Sequence, residues 1–455
     1  MPKVAIEGRG EGGAAKLLHV LTQPLCAWRG PARWLALTVV VLLGVGVALA
    51  VVLSIAPLSA VFHAPDSFHY LKLAAGHTVM QPFASRQLGA RVAALLGRLP
   101  GGDLHAGFLA EATLSLVFAL AATVWLALQT LAPRWMLAAL VLVASWPLLV
   151  QYLVLPDLWY AALLAALLVL LERELWLAAA LIMLPLMLSR ESASLTLVCF
   201  ILAGWARWPQ PRRWLYAAVA VASAVVGTLI VSRLNAGSQP NVEHLPEVIY
   251  VFAKVPWNFL RNVLGIIPWS DANPELCRVP VWSTPLHLGP VHAVGICGFS
   301  WLQQLAAVDN TLRLFGVLPL MAAVLWWRHR HWQGRSVLLR FALLYGGVSF
   351  LLAPVLGAGF GHLMQYAWPL FLVAVPRLLD EFTQPSLTTQ QAAASVGVLA
   401  VHLALPWILL VPGLGQRIAL GLLLWAVGYW LLQSWLGGTP QQSQKRANSP
   451  ELARG

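Results

Sequence analysis

The sequence predicts an all-α, polytopic transmembrane helical bundle of about twelve spans, with interfacial helices in two external loops. Three observations carry that prediction. Of 455 residues, 59% are hydrophobic and only 10% charged, with a mean hydropathy of +0.75, values that soluble globular domains do not reach. Apolar runs close to the roughly 20 residues a helix needs to cross a bilayer recur along the chain. Basic residues sit in short clusters between those runs, so the net charge of +12 reads as a topology signal. Nucleic acid is not an expected partner.

In chain order the expected spans are Trp34 to Phe62, Leu104 to Leu131, Met136 to Leu155, Leu158 to Leu171, Leu175 to Leu188 and Ser192 to Trp205. They continue with Trp214 to Ser232, Leu312 to Trp327, Val337 to Leu356, Met364 to Pro376, Gln391 to Val411 and Ile418 to Trp435. The first run is too long for the apolar core of a cleaved leader and reads as a retained span. The fourth to sixth are short, and a pair of them is alternatively a re-entrant hairpin buried in protein. No tandem repeat and no inverted pair of Gly/Pro-broken spans is visible. Residues 1–30 and 438–455 are polar and small and read as disordered cytoplasmic ends, leaving 31–437 as the transmembrane domain.

Orientation follows from the basic clusters. Lys3, Arg9, Lys16, Arg29 and Arg33 precede the first span; Arg207, Arg212 and Arg213 follow the sixth; Arg328, Arg330, Arg335 and Arg340 surround the link after the eighth; Lys445, Arg446 and Arg454 come last. With twelve spans all four clusters share one side, which the positive-inside rule makes cytoplasmic, with both termini inside. The two long polar loops, 63–103 and 234–311, then face out. The second contains an amphipathic piece, Val248 to Ile267, expected to lie on the membrane surface. It also holds Cys277 and Cys297, which an oxidising compartment can pair or leave as two free thiols. The four cysteines are not spaced as metal ligands.

Ionisable groups at membrane depth are costly and mark candidate sites. In the first loop, Asp66 begins a helical turn that places His69 and Tyr70 beside it. It is either a general base or metal ligand at the water–lipid boundary, or a helix N-cap. Arg86, in PFASRQLGARV, suits a bidentate grip on phosphate, or else snorkels to headgroups. The following piece, Arg91 to Leu99, has the stripe of a short helix lying in the interface. Arg190 and Glu191 interrupt apolar sequence where a simple turn usually takes Gly, Asn or Pro, which leaves a site role and a structural ion pair both open. Asp157 opens the fourth span and reads mainly as a cap. Glu111 is too deep in the second span for capping, and His362 and Gln365 stand at the start of the tenth behind a glycine-rich turn. Walker, HExxH, nucleophile-elbow and CxxC motifs are absent.

Asp66 to Tyr70 (D-x-x-x-Y), Pro82 to Leu88 (P-F-x-x-R-x-L), the Asp of PDLWY and the Arg190-Glu191 pair follow one another in the first 200 or so residues. In that order they resemble the bacterial integral-membrane glycosyltransferases of the GT-C type. The resemblance implies transfer of a hexosyl or pentosyl group from a polyprenyl-phosphate carrier to an external acceptor at the plasma (inner) membrane. Asp66 would be the catalytic base, and His69, Tyr70, Arg86, Asp157, Arg190, Glu191 and His362 would bind substrate, with the phosphate near Arg86 or Arg190. The partners implied are the lipid-linked sugar and membrane lipid. No cofactor is expected, and a divalent metal is left open without support: family members often carry a paired acid in the first loop, and here Ser67 follows Asp66. The alternatives are a polymerase or ligase of lipid-linked glycans, a transporter or lipid flippase, and a structural partner without activity.

Overall fold

The computed structural model describes residues 30–55, 66–99, 102–130, 156–238, 247–272, 277–288, 291–328, 336–356, 363–379 and 413–437, with a few isolated positions besides. The described chain is mostly helical. Its helices are α1 (Pro31–Ile55), α2 (Ser67–Ala74), α3 (Gln87–Leu96), α4 (Leu104–Ala127), α5 (Asp157–Glu172), α6 (Trp176–Leu181), α7 (Met183–Ser189), α8 (Ala193–Trp205) and α9 (Arg213–Leu234). Helix α10 (Glu247–Asn262) leads into strands β1 (Ile266–Ser270), β2 (Trp282–Leu288) and β3 (Val291–Phe299), and α11 (Leu302–Phe315), α12 (Leu318–Arg328), α13 (Val337–Leu356), α14 (Val375–Leu379) and α15 (Leu414–Gly437) follow.

Among the described residues, three helices are long and apolar enough to cross a membrane: Leu104–Ala127, Gln210–Leu234 and Val337–Leu356. The expectation of about twelve such helices is not supported among these residues. The fourth run gives α5 with 16 residues, the fifth splits into α6 and α7, the sixth gives α8 with 13 and the eighth α12 with 11. Local punctuation shortens them. Glu172, Arg173 and Glu174 close α5, with Glu174 at a positive φ of 56°, a conformation rare for residues other than glycine. The tenth run is broken into a 3-10 turn at Gln365–Ala367, a π turn at Leu370–Ala374 and α14. Pro369, lacking an N–H, interrupts the regular ladder there. The third and eleventh expected spans, His362 and the two polar ends fall outside the described residues, apart from isolated positions.

The second departure from expectation is a sheet. Residues 266–299 form three antiparallel strands in the order β1-β3-β2, with Trp269 opposite Gly295 and Thr284 opposite Val294. Pro268, Pro280 and Pro285 disfavour a helix here, and the Val, Ile, Thr and Trp content suits a pleated surface. Cys277 is disulfide-bonded to Cys297 on β3, with Cα atoms 5.9 Å apart. Of the amphipathic piece expected from Val248 to Ile267, the part as far as Asn262 is helix α10, while Ile266 and Ile267 open β1.

Helix α4 organises the front of the core, packing on α1, α3 and α5. The Asp103 side chain caps it, accepting from Ala106 N–H at 2.7 Å. Helix α3 presents its small residues, Gly89, Ala90 and Ala93, to the protein rather than to lipid. A Cβ at Gly107 would stand 2.1 Å from the Ala93 carbonyl oxygen and 2.7 Å from Gly97 N, so glycine is what allows this approach. Gly107→Ala is expected to lower the thermal midpoint in detergent, because overpacking costs roughly 1–3 kcal/mol. Leu114→Ala, on an exposed position of the same helix, is the control expected to leave the midpoint in place.

Candidate functional site

Four helix ends converge. Arg86 immediately precedes α3, Asp157 is the first residue of α5, and Arg190 and Glu191 lie in the turn joining α7 to α8. Packing of α7 on both α3 and α5, and of α13 on the Gln365–Ala374 segment, brings these ends together with Tyr366. Asn235, just past α9, joins the same end: Gln87 Nε2 donates to its Oδ1 at 3.0 Å and to the Ala84 carbonyl at 2.7 Å. Arg91 Nε donates to Gln87 Oε1 at 3.0 Å. Gln87 is buried, so this network ties the first polar loop to the start of the second, and the two share one end of the bundle. The helix directions put Arg207, Arg212 and Arg213 at the other end, where Glu172 also pairs with Arg377 at 2.6 Å.

Two linked ion-pair systems fill the site end. Arg86 grips Glu191 in a fork, Nε to Oε2 at 3.1 Å and Nη2 to Oε1 at 2.6 Å, while its Nη1 donates to Tyr70 Oη at 2.9 Å. Deeper, Arg190 Nη1 donates to Asp157 Oδ1 and to Tyr366 Oη, and the Tyr366 hydroxyl also donates to Asp157 Oδ1. The Arg190 guanidinium lies 4.8 Å above the Tyr366 ring. Tyr160, whose ring meets that of Tyr366 edge-on at 5.3 Å, extends the polar chain inward through Thr196 at 2.6 Å and Tyr345 at 3.3 Å. Two guanidinium groups thus face two carboxylates, and the N-termini of α3, α5 and α8 add partial positive charge.

The pairs differ in accessibility. Arg190 and Asp157 side chains are only 4% and 7% exposed, whereas Glu191 is 49% exposed over an Arg86 that is 13% exposed. Removal from bulk water pushes the Glu191 carboxyl up, but the charge and hydrogen bonds of Arg86 outweigh this and hold it at about 2. Burial raises the Tyr70 hydroxyl to about 12, with Arg86 opposing. Both groups keep one protonation state across physiological pH.

Of the residues singled out in the sequence, Tyr70, Arg86, Asp157, Arg190 and Glu191 meet here. His69 does not join them. Its ring stacks on Phe83 with centroids 4.2 Å apart, and burial lowers its basicity. Asp66 stands at the rim. It precedes α2 but caps it with no side-chain hydrogen bond, is exposed, and forms no ion pair with any described residue. Its place four residues before Tyr70 puts both on one helical face. Asp157 lies in the first turn of α5, with Pro156 at the N-cap position, and accepts from Arg190 and Tyr366. Tyr366 and Asn235 escaped the sequence reading because a Tyr opening an apolar run and an Asn closing one have ordinary structural uses. Glu111, buried within α4, borders these helix ends: a Cβ on Gly89 of α3 would stand 3.8 Å from its Oε1 and equally far from the Pro156 Cα, and Ser115 Oγ donates to it at 3.2 Å. Among the described residues no group of three or more His, Cys, Asp or Glu side chains is placed to hold a metal.

No protein-family model, curated protein or solved structure matches the chain.

Proposed function

We propose that the chain is a membrane glycosyltransferase that moves a sugar from a polyprenyl-phosphate carrier to an acceptor outside the cytoplasm. The observation that carries this reading is the convergence of Arg86 and Arg190 at one bundle end, where Arg86 is covered by a half-exposed carboxylate. An arginine fork that fits carboxylate also fits phosphate. Because Arg190 is locked by Asp157 and Tyr366, it supplies fixed positive potential, and Arg86 makes the direct contact once Glu191 swings aside. Asp66 is the base: Asp157 and Glu191 are committed to arginines, while Asp66 is free of such a partner and stands one turn from Tyr70. It takes the proton of the acceptor hydroxyl, whose oxygen attacks the anomeric carbon. The bond from that carbon to the phosphate oxygen breaks, and the arginines stabilise the charge left on the polyprenyl phosphate.

The same reading places the site outside the cytoplasm of a bacterial plasma membrane, with about twelve segments embedded, the short ones packed within the protein, and both termini inside. The Cys277–Cys297 bond in the second loop supports that side as the oxidising one. A flippase or transporter is the second reading, favoured by the buried Glu111 inside a candidate span. In that case Glu111→Gln would abolish movement of lipid or solute while sugar transfer is never seen.

Binding of unsubstituted polyprenyl phosphate to purified protein in nanodiscs tests the phosphate contact. Glu191→Gln removes the competing charge and is expected to tighten binding roughly tenfold, equivalent to about 1.4 kcal/mol, whereas Arg86→Lys keeps charge but loses the fork and weakens it. Equal affinity in all three proteins contradicts the proposed contact. The pH dependence has a definite sign. A carboxyl depressed in the folded state adds stability above its unfolded value of about 4.3 and loses it as pH falls toward about 2. The thermal difference between wild type and Glu191→Gln is therefore expected to be flat from about pH 5 to 8 and to shrink below about 4.3.

A further inference from the structure

Helix α10 is amphipathic the wrong way round for water. Its two asparagines, Asn258 and Asn262, face the protein at 2% and 3% exposure, while Phe252, Val255 and Phe259 turn outward at 74%, 40% and 42%. The asparagines hold the helix to the end of candidate span α13, Asn262 Nδ2 donating to the Pro354 carbonyl at 2.8 Å and Asn258 Nδ2 to that of Val355 at 3.2 Å. Around those carbonyls, Leu351, Leu352 and Leu356 are themselves exposed, so exposed apolar residues of the span's end stand next to the contacts that hold the helix. On the far side, Ser300 N–H bonds the Gly265 carbonyl at 2.7 Å and Gln304 Nε2 the Arg261 carbonyl at 3.3 Å. Those contacts bring in Trp301 and Leu302, 63% and 64% exposed.

We infer that this face, from Phe252 through Phe259 to Trp301 and Leu302, is embedded in the headgroup–acyl boundary of the outer leaflet and fixes the height of the site end against the bilayer. An outward row of Phe and Val with buried amides is unfavourable against water and favourable against lipid. An exposed Trp beside such an apolar face is the residue type that collects at membrane interfaces. Attachment to the end of a candidate span whose leucines are also exposed selects the bilayer, rather than a soluble partner, as the occupant. The inference does not depend on the transferase reading, since it concerns only how the second loop sits.

Nitroxide labels report the environment directly. In full-length protein with Cys26→Ser and Cys199→Ala, reconstituted into liposomes, single labels are introduced through Phe252→Cys, Phe259→Cys and Leu302→Cys, with Ser283→Cys on exposed β2 as reference. All four positions are exposed, so the substitutions disturb no packing. Power saturation is expected to show collisions with oxygen exceeding those with a water-soluble nickel chelate at 252, 259 and 302, at depths of about 5–10 Å, and the reverse ratio at 283. Nickel accessibility at 252, 259 and 302 equal to that at 283 would overturn the inference by placing the face in water. Low accessibility to both reagents would overturn it equally, by placing another protein segment over the face.

Discussion

Asp66→Asn is expected to lower sugar transfer by about 10²- to 10⁴-fold, the usual contribution of a general base, while leaving thermal stability unchanged. The structure separates the two effects because the Asp66 side chain makes no capping hydrogen bond to α2 and is exposed, so asparagine removes only the basic oxygen. The two arginine-paired carboxylates of the site cannot substitute for it. Glu191 is held at about 2 by Arg86, and Asp157 receives both Arg190 and Tyr366. The check is transfer rate and melting midpoint measured on the same preparation. A variant that transfers as well as wild type removes Asp66 from the chemistry.

Arg190→Leu is expected to be the most destabilising single change at the site. It leaves the Asp157 carboxylate buried without its cation, a loss of about 3–5 kcal/mol for breaking a buried pair. Adding Asp157→Leu to that variant is expected to restore much of the stability, since replacing both partners by apolar groups of similar volume is often close to neutral. Neither the single nor the double variant is expected to transfer sugar. Heat denaturation followed in detergent distinguishes the cases: a double variant as unstable as the single one would mean that Tyr366, rather than charge balance, sets the cost.

The sequence made the site more legible than the fold. Charges are conspicuous in apolar sequence, so Arg86, Asp157 and the Arg190-Glu191 pair could be picked out without coordinates, and desolvation cost gives the reason they must meet partners. Which partner each takes was not readable, because pairing depends on α7 packing between α3 and α5, a long-range contact. Among the described residues, hydropathy marked out more long spans than there are long apolar helices, because it counts apolar residues without registering what breaks a helix. Glu172 to Glu174 and Pro369 do so here. The sheet was not legible in a Trp-, Pro- and His-rich loop, although Val291, Val294 and Ile296 of β3, Trp282 and Thr284 of β2 and three helix-disfavouring prolines favour strands. The Asn258 and Asn262 pair was equally visible in sequence, but its inward orientation was not.

Purified wild-type protein in nanodiscs, given a panel of polyprenyl-phosphate-linked hexoses and pentoses with a hydroxyl-bearing acceptor, tests the central claim directly through release of free polyprenyl phosphate. The account predicts that at least one donor is consumed, that the product carries a new glycosidic bond, and that Arg86→Lys and Asp66→Asn both depress the rate while remaining folded. Consumption of no donor by a protein that binds polyprenyl phosphate and moves it between leaflets would contradict the transferase and leave the flippase in its place.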